Sequence, residues 1–284
     1  MIQVQLIEEL KNNIKEAKFS NKSIGFVPTM GYLHEGHMSL VKQARRENDY
    51  VVMSIFVNPA QFGPNEDLAK YPRDLQRDSK MAKEAGVDLL FFPQVNEMYP
   101  QDGGISIQAG TQANILCGSS RPGHFDGVLK VVTKLFHLVE PKTVYFGQKD
   151  AQQLAIIETL VKDYNFPLEV RRVETVREPD GLAKSSRNVF LSPKERSEAP
   201  MIRKAIKLGH EHFKLNQDIA RAKQITIQHI EDNISGKIDY VELLSYPSLT
   251  NDLLNDTDVI LAVAVFFENV RLIDNMMWNI KERY

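Results

Sequence analysis

The chain has 284 residues, of which 43% are hydrophobic and 25% are charged, and its formal net charge is −2 at pH 7. This composition is typical of a globular protein with one large and one smaller domain. The small net charge disfavours a protein that binds nucleic acid or an anionic membrane surface. The single cysteine, Cys117, excludes an internal disulfide framework and is typical of a reducing compartment. We interpret it as a packing residue, since no obvious partner base marks it as a nucleophile.

The N-terminal segment is predicted to be part of the folded protein and not a signal peptide. It lacks the basic region and uninterrupted apolar core of a signal peptide. No apolar run approaches the ~20 residues needed to cross a bilayer, and the longest, 259–267, is typical of a buried strand. The sequence therefore predicts a cytoplasmic protein without a membrane partner. Leu6, Leu10 and Ile14 recur at helical spacing and predict an amphipathic first helix that packs on a sheet.

The stretch 27–40 carries the most informative motif. The apolar run 24–27 predicts a buried strand and a helical pattern begins near Ser39, so His34 and His37 lie on a strand-to-helix turn. Open α/β sheets bind ligands at such turns. Glycines relax the backbone beside the pair, and the N–H groups at the start of the helix suit an anion. The stretch therefore predicts a phosphate site in which both imidazoles donate hydrogen bonds.

The histidine pair is also compatible with a metal site or with two structural histidines. A zinc peptidase would carry His-Glu-x-x-His, which this stretch does not. A structural zinc site would need further Cys or His ligands in sequence. A nucleotide site is favoured because two histidines framed by glycines follow a strand.

The next apolar strand, 50–56, is of the kind buried on both faces of a parallel sheet, and it ends in a loop with Asn58 and Gln61. Their neutral amides suit a substrate with hydroxyl and carboxylate groups. Ordinary loop capping is the alternative, because such residues are common in turns. The β-α-β pattern then continues with a helix over 74–85, a strand over 87–92, a glycine-rich loop over 118–127 and an apolar helix over 128–139.

A second strand-to-helix turn follows the strand 143–146. Its sequence is Gly147-Gln148-Lys149-Asp150, and a helix is predicted over 151–163. Gly147 relaxes the turn, Lys149 offers a point charge for phosphate, and Asp150 can cap the helix or hold a ribose hydroxyl. A lysine in this position is usually just exposed. Its role in phosphate binding depends on a second phosphate-binding element that faces it.

A strand is predicted over 170–176, and Ser185, Ser186 and Arg187 follow it. Two hydroxyl groups beside a guanidinium group suit a phosphate, so these residues predict a phosphate-binding turn. An ordinary serine-rich turn is the alternative. Ser192 and Glu195 mark a helix start. The rest predicts a small α+β unit, with helices over 193–214 and 218–233 and strands over 238–245, 259–266 and 270–273. We predict an α/β fold with a Rossmann-like parallel-sheet domain over 1–178 and a smaller α+β domain over 179–284, which we interpret as a lid.

These motifs resemble those of a known family. His34-Glu35-Gly36-His37 resembles the His-x-Gly-His signature of the nucleotidyltransferase superfamily. Four further stretches extend the resemblance: Phe-Val-Asn-Pro-x-Gln-Phe-Gly at 56–63, Glu66-Asp67 after it, the turn 147–150 (the lysine turn) and Ser185-Ser186-Arg187 (the serine run). With them, the sequence resembles the pantoate–β-alanine ligases over nearly the whole chain. Gln148 replaces a usual glutamate. Lys184 replaces a usual methionine. Its side chain either adds a cation near the triphosphate of a bound nucleotide or points outward.

The resemblance implies an ATP-dependent ligase that condenses (R)-pantoate with β-alanine to give (R)-pantothenate, AMP and diphosphate through a pantoyl adenylate. It implies no protein nucleophile. His34, His37, Lys149 and Arg187 would stabilise charge at the α-phosphate, with Mg²⁺ bridging phosphate oxygens. It further implies a homodimer formed through the first domain. The sequence leaves the Mg²⁺ ligands unknown, with Asp78 one candidate among many acids expected to be exposed.

The resemblance also assigns the binding residues. ATP binding falls to Met30, Gly31, Tyr32, Leu33, His34, Glu35, Gly36, His37, Gly147, Gln148, Lys149, Asp150, Val176, Lys184, Ser185, Ser186 and Arg187. Pantoate binding falls to Asn58, Gln61, Val131, Val132 and Gln153, and β-alanine binding to Gln61. Two rival functions stay open: a related nucleotidyltransferase that keeps the adenylate as its product, and a non-catalytic nucleotide sensor. The main expectation is that His37 and Lys149 bind the same ATP.

Overall fold

The structure, a computed structural model, describes residues 1–63, 68–69, 71–101 and 104–281. The loop that follows the strand 50–56 and carries Asn58 and Gln61 is called the substrate loop. Glu66 and Asp67, predicted to follow in this loop, lie outside the described residues. The chain forms two compact units. The first comprises Met1–Gly147 and Ile156–Val173, and the second comprises Gln148–Ala155 and Glu174–Tyr284. The lysine turn predicted to follow the strand 143–146 thus belongs to the second unit.

The first unit contains a six-stranded sheet in the order β1-β4-β3-β2-β5-β6, and every neighbouring pair is parallel. Its strands are β1 (Ile2–Val4), β2 (Ile24–Thr29), β3 (Tyr50–Ile55), β4 (Leu89–Phe91), β5 (Thr143–Gly147) and β6 (Glu169–Val173). From β2 the chain moves to β3 and β4 on one side, and later to β5 and β6 on the other. The strand order therefore reverses beside β2, which is the point where open α/β sheets bind ligands. The predicted Rossmann-like sheet is confirmed.

Helices connect these strands: α1 (Ile7–Phe19), α2 (Glu35–Glu47), α3 (Leu75–Ala85), α4 (Val95–Met98), α5 (His124–Val139) and α6 (Ala151–Asp163). The core is built from strands that are apolar on both faces, so that Val27, Val51 and Leu90 have no exposed surface. In α1 the buried stripe is Leu10, Ile14 and Ala17, whereas Leu6 precedes the helix as its N-cap. The prediction that Leu6 belongs to the buried stripe was wrong, since it is half exposed.

Two helix starts differ from the sequence prediction. Helix α2 begins at Glu35, ahead of the position predicted near Ser39, because His34 acts as its N-cap. Helix α5 begins at His124, within the predicted loop 118–127. Histidine is not among the preferred N-cap residues, so the sequence pattern did not reveal the first start.

The second unit contains an antiparallel sheet in the order β7-β8-β9. Its strands are β7 (Lys237–Tyr246), β8 (Asp258–Phe266) and β9 (Arg271–Asn279), and its helices are α7 (Pro193–Glu198), α8 (Met201–Asn216) and α9 (Ile219–Asn233). The helix predicted over 193–214 is two helices, with Pro200 as the N-cap of the second. In the described part of the chain, no helix is long and apolar enough to cross a membrane.

Candidate functional site

The histidine pair follows β2 and begins α2. The backbone N–H of Gly36 donates to His34 Nδ1 at 3.1 Å, and the backbone N–H of His34 donates to His37 Nδ1 at 3.2 Å. The two ring centroids are 4.1 Å apart. Because a backbone N–H can only donate, each Nδ1 is an acceptor, and a neutral ring then carries its proton on Nε2. The local backbone therefore selects the tautomer in which both Nε2 atoms are donors.

Gly36 is required for this arrangement of the rings. A Cβ atom at this position would lie 2.8 Å from Cε1 and 2.9 Å from Nδ1 of His34. The predicted anion site used the N–H groups at the start of the helix, but the N–H groups of His34 and Gly36 are taken by the imidazoles. Two of the N–H groups near the start of the helix are therefore already bonded within the protein.

Asp78 of α3 anchors the loop that precedes the histidines. Its side chain is 1% exposed, Oδ2 accepts from the N–H of Tyr32 at 2.6 Å, and Oδ1 accepts from the N–H of Leu33 at 2.8 Å. Tyr32 has a φ of 50° and Gly31 a φ of 85°, so two successive residues lie in the left-handed region. That conformation is strained for tyrosine and needs support from its surroundings. Two charge-assisted hydrogen bonds to one carboxylate provide it.

The expectation that Asp78 is an exposed acid was wrong. Burial raises the pKa of the Asp78 carboxyl, whereas the N–H groups of Leu33 and Tyr32 lower it. Arg77 reinforces the same loop, since its Nη2 donates to the carbonyl of Leu33 at 2.9 Å and its guanidinium lies over the Tyr32 ring. Asp78 is therefore an anchor of the loop.

The predicted substrate loop follows β3, and both of its amides are buried, with Asn58 1% exposed and Gln61 6% exposed. Asn58 Nδ2 donates to Gln61 Oε1 at 3.0 Å, and Gln61 Nε2 donates to Met30 Sδ at 3.2 Å. The Nδ1 atom of His124, on α5, lies 2.8 Å from the carbonyl oxygen of Gln61. Gly127 brings α5 close, because a Cβ there would lie 2.1 Å from the carbonyl oxygen of Ala60.

Val131 and Val132 lie on α5 and are almost fully buried, at 7% and 4% exposed. The first unit thus brings Met30, Asn58 and Gln61 into direct contact, with the two valines on the helix that packs against the loop.

The lysine turn belongs to the second unit, where β9 holds it. Asn275 Nδ2 donates to the carbonyl oxygens of Gln148 at 2.9 Å and Lys149 at 3.0 Å. Lys149 Nζ lies 3.6 Å from Asp150 Oδ2. Gln153 follows on α6 and is half-buried. The backbone of the lysine turn is therefore fixed by a residue far away in sequence.

Asn275 is itself held by an ion pair. Its backbone N–H donates to Asp274 Oδ1 at 2.8 Å, and Arg177 donates to both oxygens of Asp274 at 2.7 and 2.9 Å. Asp274 is 5% exposed. Bidentate arginine–carboxylate pairs are geometrically specific, so this pair fixes the carboxylate that accepts from the backbone N–H of Asn275.

Gly147 does not have the role predicted for it. In the described part of the chain, a Cβ at Gly147 would meet no heavy atom within 4 Å beyond the two neighbouring residues, and the φ of Gly147 lies outside the left-handed region. The turn therefore does not require a glycine there.

The serine run in the second unit forms a capped turn. Ser185 Oγ accepts from the N–H of Arg187 at 3.2 Å, and a 3-10 helix covers Ser186–Phe190. Lys184 Nζ lies 3.1 Å from Glu178 Oε2, so its charge is balanced by a neighbouring carboxylate. The N–H of Lys184 donates to the carbonyl of Val176 at 2.9 Å. Lys184, which replaces the methionine usual in the family, thus forms an ion pair with a residue of its own unit.

Sequence reasoning missed the supporting contacts of three residues at the predicted site, although it named Asp78 as one candidate Mg²⁺ ligand. Asp78 holds the histidine loop, Asn275 holds the lysine turn, and Tyr99 Oη donates to Asn58 Oδ1 at 2.9 Å. None of them belongs to a local motif, and a spacing rule along the chain does not connect them to their partners.

Comparison with known proteins identifies the family. The family described as Pantoate-beta-alanine ligase matches residues 3–277. A protein from Lysinibacillus sphaericus named Pantothenate synthetase is 59% identical over 97% of each chain, and one of that name from Exiguobacterium is 54% identical over 97% of this chain and 98% of its own.

Solved structures give the same result. The crystal structure of pantothenate synthetase from Thermus thermophilus matches with a TM-score of 0.90 and 45% identity, covering 97% of this chain and 99% of that one. A pantoate-beta-alanine ligase from Francisella tularensis, described as complexed with beta-gamma ATP and beta-alanine, matches with a TM-score of 0.79 and 36% identity over 97% of each chain. The chain belongs to the pantoate–β-alanine ligase family.

Proposed function

We propose that the protein condenses pantoate with β-alanine at the expense of ATP, and that it forms pantothenate, AMP and diphosphate. Membership of the family over residues 3–277 and the identity to proteins named pantothenate synthetase support this function. The structural observation that carries it is the histidine pair at the end of β2. Both Nδ1 atoms accept backbone N–H groups, which leaves Nε2 as the donor of each ring.

The reaction has two displacements. A carboxylate oxygen of pantoate attacks the α-phosphorus of ATP and diphosphate leaves. The amino nitrogen of β-alanine then attacks the acyl carbon of pantoyl adenylate, and AMP leaves. Neither step needs a nucleophile from the protein, so catalysis consists of positioning and of stabilising charge at the α-phosphate.

His34 and His37 donate to phosphate oxygens in this proposal, and Lys149 and Arg187 add positive charge. Asn275 supports the Lys149 turn with two hydrogen bonds, and Ser185 caps the turn that contains Arg187. The remaining contacts with ATP are assigned to residues 30–33, 35–36, 147–148, 150, 176 and 184–186, in accordance with the family resemblance.

Pantoate and β-alanine are assigned to the substrate loop. Gln61 Nε2 is a donor that suits a carboxylate or hydroxyl oxygen. Val131 and Val132 suit the apolar part of pantoate, and Gln153 adds a second amide.

We propose that Mg²⁺ enters as a complex with the phosphates of ATP. Mg²⁺ usually keeps several waters and binds through substrate phosphates with few protein ligands. In the described ranges, no group of three or more His, Cys, Asp and Glu side chains could hold a metal. A homodimer formed through the first domain is a further proposal, which is based on the family resemblance and which sedimentation would test. The cytoplasmic location predicted from the sequence also stays a proposal.

One incubation series tests the function. The protein is supplied with MgATP, then pantoate, then β-alanine, and the nucleotide and acyl products are identified at each stage. We expect multiple turnovers to AMP, diphosphate and pantothenate only with all three substrates. Sustained adenylate formation without β-alanine would favour a nucleotidyltransferase that keeps the adenylate. Absence of ATP consumption with all three substrates would favour a nucleotide sensor.

A further inference from the structure

A chain of side-chain hydrogen bonds runs from the half-buried Tyr99 through the buried Asn58 to the buried Gln61. Tyr99 Oη donates to Asn58 Oδ1 at 2.9 Å, Asn58 Nδ2 donates to Gln61 Oε1 at 3.0 Å, and Gln61 Nε2 donates to Met30 Sδ at 3.2 Å. We call Tyr99, Asn58 and Gln61 the amide relay. All three residues belong to the first unit.

The backbone fixes the orientation of the Asn58 amide from both sides. The N–H of Ala60 donates to Asn58 Oδ1 at 3.2 Å, and Asn58 Nδ2 donates to the carbonyl oxygen of Gly127 at 3.0 Å. A backbone N–H can only donate and a backbone carbonyl can only accept. A flipped Asn58 amide would therefore lose both contacts and replace each with a repulsion.

The orientation of Asn58 in turn determines that of Gln61. Because Asn58 Nδ2 is a donor, the atom of Gln61 that faces it has to be the acceptor Oε1. The Gln61 NH₂ group is then directed away from Asn58, towards Met30. A thioether sulfur is only a weak acceptor. A substrate oxygen is a stronger partner for this NH₂ group.

Asn58 has no hydrogen-bonding capacity left for a substrate. Its oxygen accepts two hydrogen bonds and its nitrogen donates two, which is the full capacity of the amide. Its side chain is also 1% exposed. Asn58 therefore acts through Gln61, which differs from the direct pantoate contact predicted for it.

Tyr99 sets the outer end of the relay. Burial raises the pKa of Tyr99 to about 12, so the hydroxyl keeps its proton at neutral pH. The amines of Lys130 and Lys134 lie 4.9 and 5.8 Å from the centre of its ring. Lys134 Nζ also donates to the carbonyl of Met98, the residue before Tyr99. The tyrosine is thus held as a permanent donor.

We propose that Tyr99 and Asn58 are positioning residues, which orient the Gln61 amide so that its NH₂ group, and not its carbonyl oxygen, meets the carboxylate substrate. This inference rests on the proposed function, in which Gln61 contacts pantoate. The relay transmits the polarity of two backbone groups to the substrate site. It selects an anionic or oxygen-bearing ligand at Gln61 and disfavours a ligand that can only donate.

Tyr99→Phe tests the outer end of the relay, because it removes one hydroxyl and keeps the ring. We expect the KM for pantoate to rise roughly fivefold, the size of effect expected for one lost hydrogen bond, with the KM for ATP unchanged. Tyr145→Phe is the matched control. Tyr145 is a fully buried tyrosine of the same unit whose hydroxyl contacts Glu47 and Asn48. We expect it to change the free energy of unfolding without a change in either KM.

Asn58→Asp tests the polarity. A carboxylate oxygen would face Gln61, so the Gln61 amide is expected to turn its NH₂ group inward and present Oε1 to the substrate. The KM for pantoate should then rise more than in Tyr99→Phe. The preference for pantoate over pantoamide, its neutral amide used as a competitor, should fall roughly tenfold, as for an unfavourable contact with a charged group.

Gln61→Ala separates the contact of Gln61 with the substrate from the orientation of Gln61 by Tyr99 and Asn58. An unchanged KM for pantoate in Gln61→Ala would contradict the substrate role of Gln61. A raised KM in Gln61→Ala together with unchanged pantoate KM and pantoate preference in folded Tyr99→Phe would overturn the relay and leave the substrate role intact. If Asn58→Asp does not fold, Tyr99→Phe decides the matter alone.

Discussion

The two strand-to-helix turns proposed to bind ATP are held by anchors of opposite polarity. In the histidine turn, the Asp78 carboxylate accepts from the N–H groups of Tyr32 and Leu33. In the lysine turn, Asn275 donates to the carbonyl oxygens of Gln148 and Lys149. Each anchor uses one side chain to fix two successive peptide groups.

The difference follows from the backbone of each turn. Gly31 and Tyr32 are left-handed, and the N–H groups of Tyr32 and Leu33 point to the same side, where a carboxylate can accept both. Gln148–Asp150 is a 3-10 turn whose carbonyl groups converge instead, so an amide NH₂ group fits. Each turn proposed to bind ATP is therefore held by a side chain whose polarity matches the backbone groups that the turn presents to it.

The largest expected effects come from the groups proposed to contact phosphate. Loss of an oxyanion-type donor costs about 3 kcal/mol, or roughly a hundredfold in rate. We expect kcat to fall by at least that factor in His37→Ala and in Lys149→Ala, measured as AMP formation with all substrates saturating. His137→Ala, a substitution of an exposed histidine in the same unit as His37, should retain wild-type turnover. Near wild-type kcat in both His37→Ala and Lys149→Ala would remove the proposed mechanism.

Asp78→Asn changes the polarity of the first anchor. Its NH₂ group would face a backbone N–H, and one of the two donors would lose its acceptor. An unsatisfied buried group costs about 1–3 kcal/mol, so we expect the free energy of unfolding to fall by that amount. We expect kcat to fall roughly tenfold as the histidine loop relaxes.

Asp74→Asn is the matched control for Asp78→Asn. Asp74 caps α3 through the N–H of Arg77, and asparagine is an equally good N-cap. We expect both stability and kcat to stay at the wild-type level. Wild-type kcat in a destabilised Asp78→Asn would show that the anchor contributes to folding alone.

Asn275→Asp applies the opposite change to the second anchor. Its carboxylate would face two carbonyl oxygens, so both hydrogen bonds would become repulsions. Two hydrogen bonds contribute about 1–3 kcal/mol, and we expect a loss of roughly tenfold in kcat/KM for ATP. Asn279→Asp on the same strand is the control, because its Oδ1 already accepts from the N–H of Lys281. Equal effects of the two substitutions would contradict the anchor role of Asn275.

The glycines of the two turns should differ in their tolerance to alanine. In Gly36→Ala, the new Cβ would push the His34 ring from its position, at a cost of about 1 kcal/mol or roughly fivefold in kcat. Gly147→Ala adds a methyl group that meets no described atom within 4 Å beyond its chain neighbours, so we expect the free energy of unfolding to stay at the wild-type level. Urea unfolding of both variants, together with kcat of Gly36→Ala at saturating ATP, would check this contrast, and equal losses of stability would contradict it.

The sequence predicted the strands that precede the proposed site better than it predicted the residues that support its turns. Strands β2 and β3 are apolar along most of their length, so their burial and the parallel sheet followed from local pattern. The anchors did not, because Leu33 and Asp78 are separated by 45 residues and Lys149 and Asn275 by 126. Asn58 shows the same limit. Its residue type suggested a ligand contact, but only the fold reveals that all of its hydrogen bonds are used within the protein.

Acid titration distinguishes the two anchors, because only Asp78 can bind a proton. Burial raises the pKa of its carboxyl in the folded protein above the ordinary value of 3.8. The folded state then binds this proton more tightly than the unfolded state, so the contribution of Asp78 to stability falls as pH rises from about 3.8 through the folded pKa.

The free energy of unfolding of the wild type, minus that of Asp78→Asn, should therefore decrease between pH 4 and pH 7. The corresponding difference for Asn275→Ala should stay constant, because that amide does not titrate. Urea unfolding across this pH range measures both differences. If the difference for Asp78→Asn rises with pH, the two backbone N–H donors stabilise the carboxylate more than burial penalises it, and the pKa of Asp78 in the folded protein lies below its ordinary value.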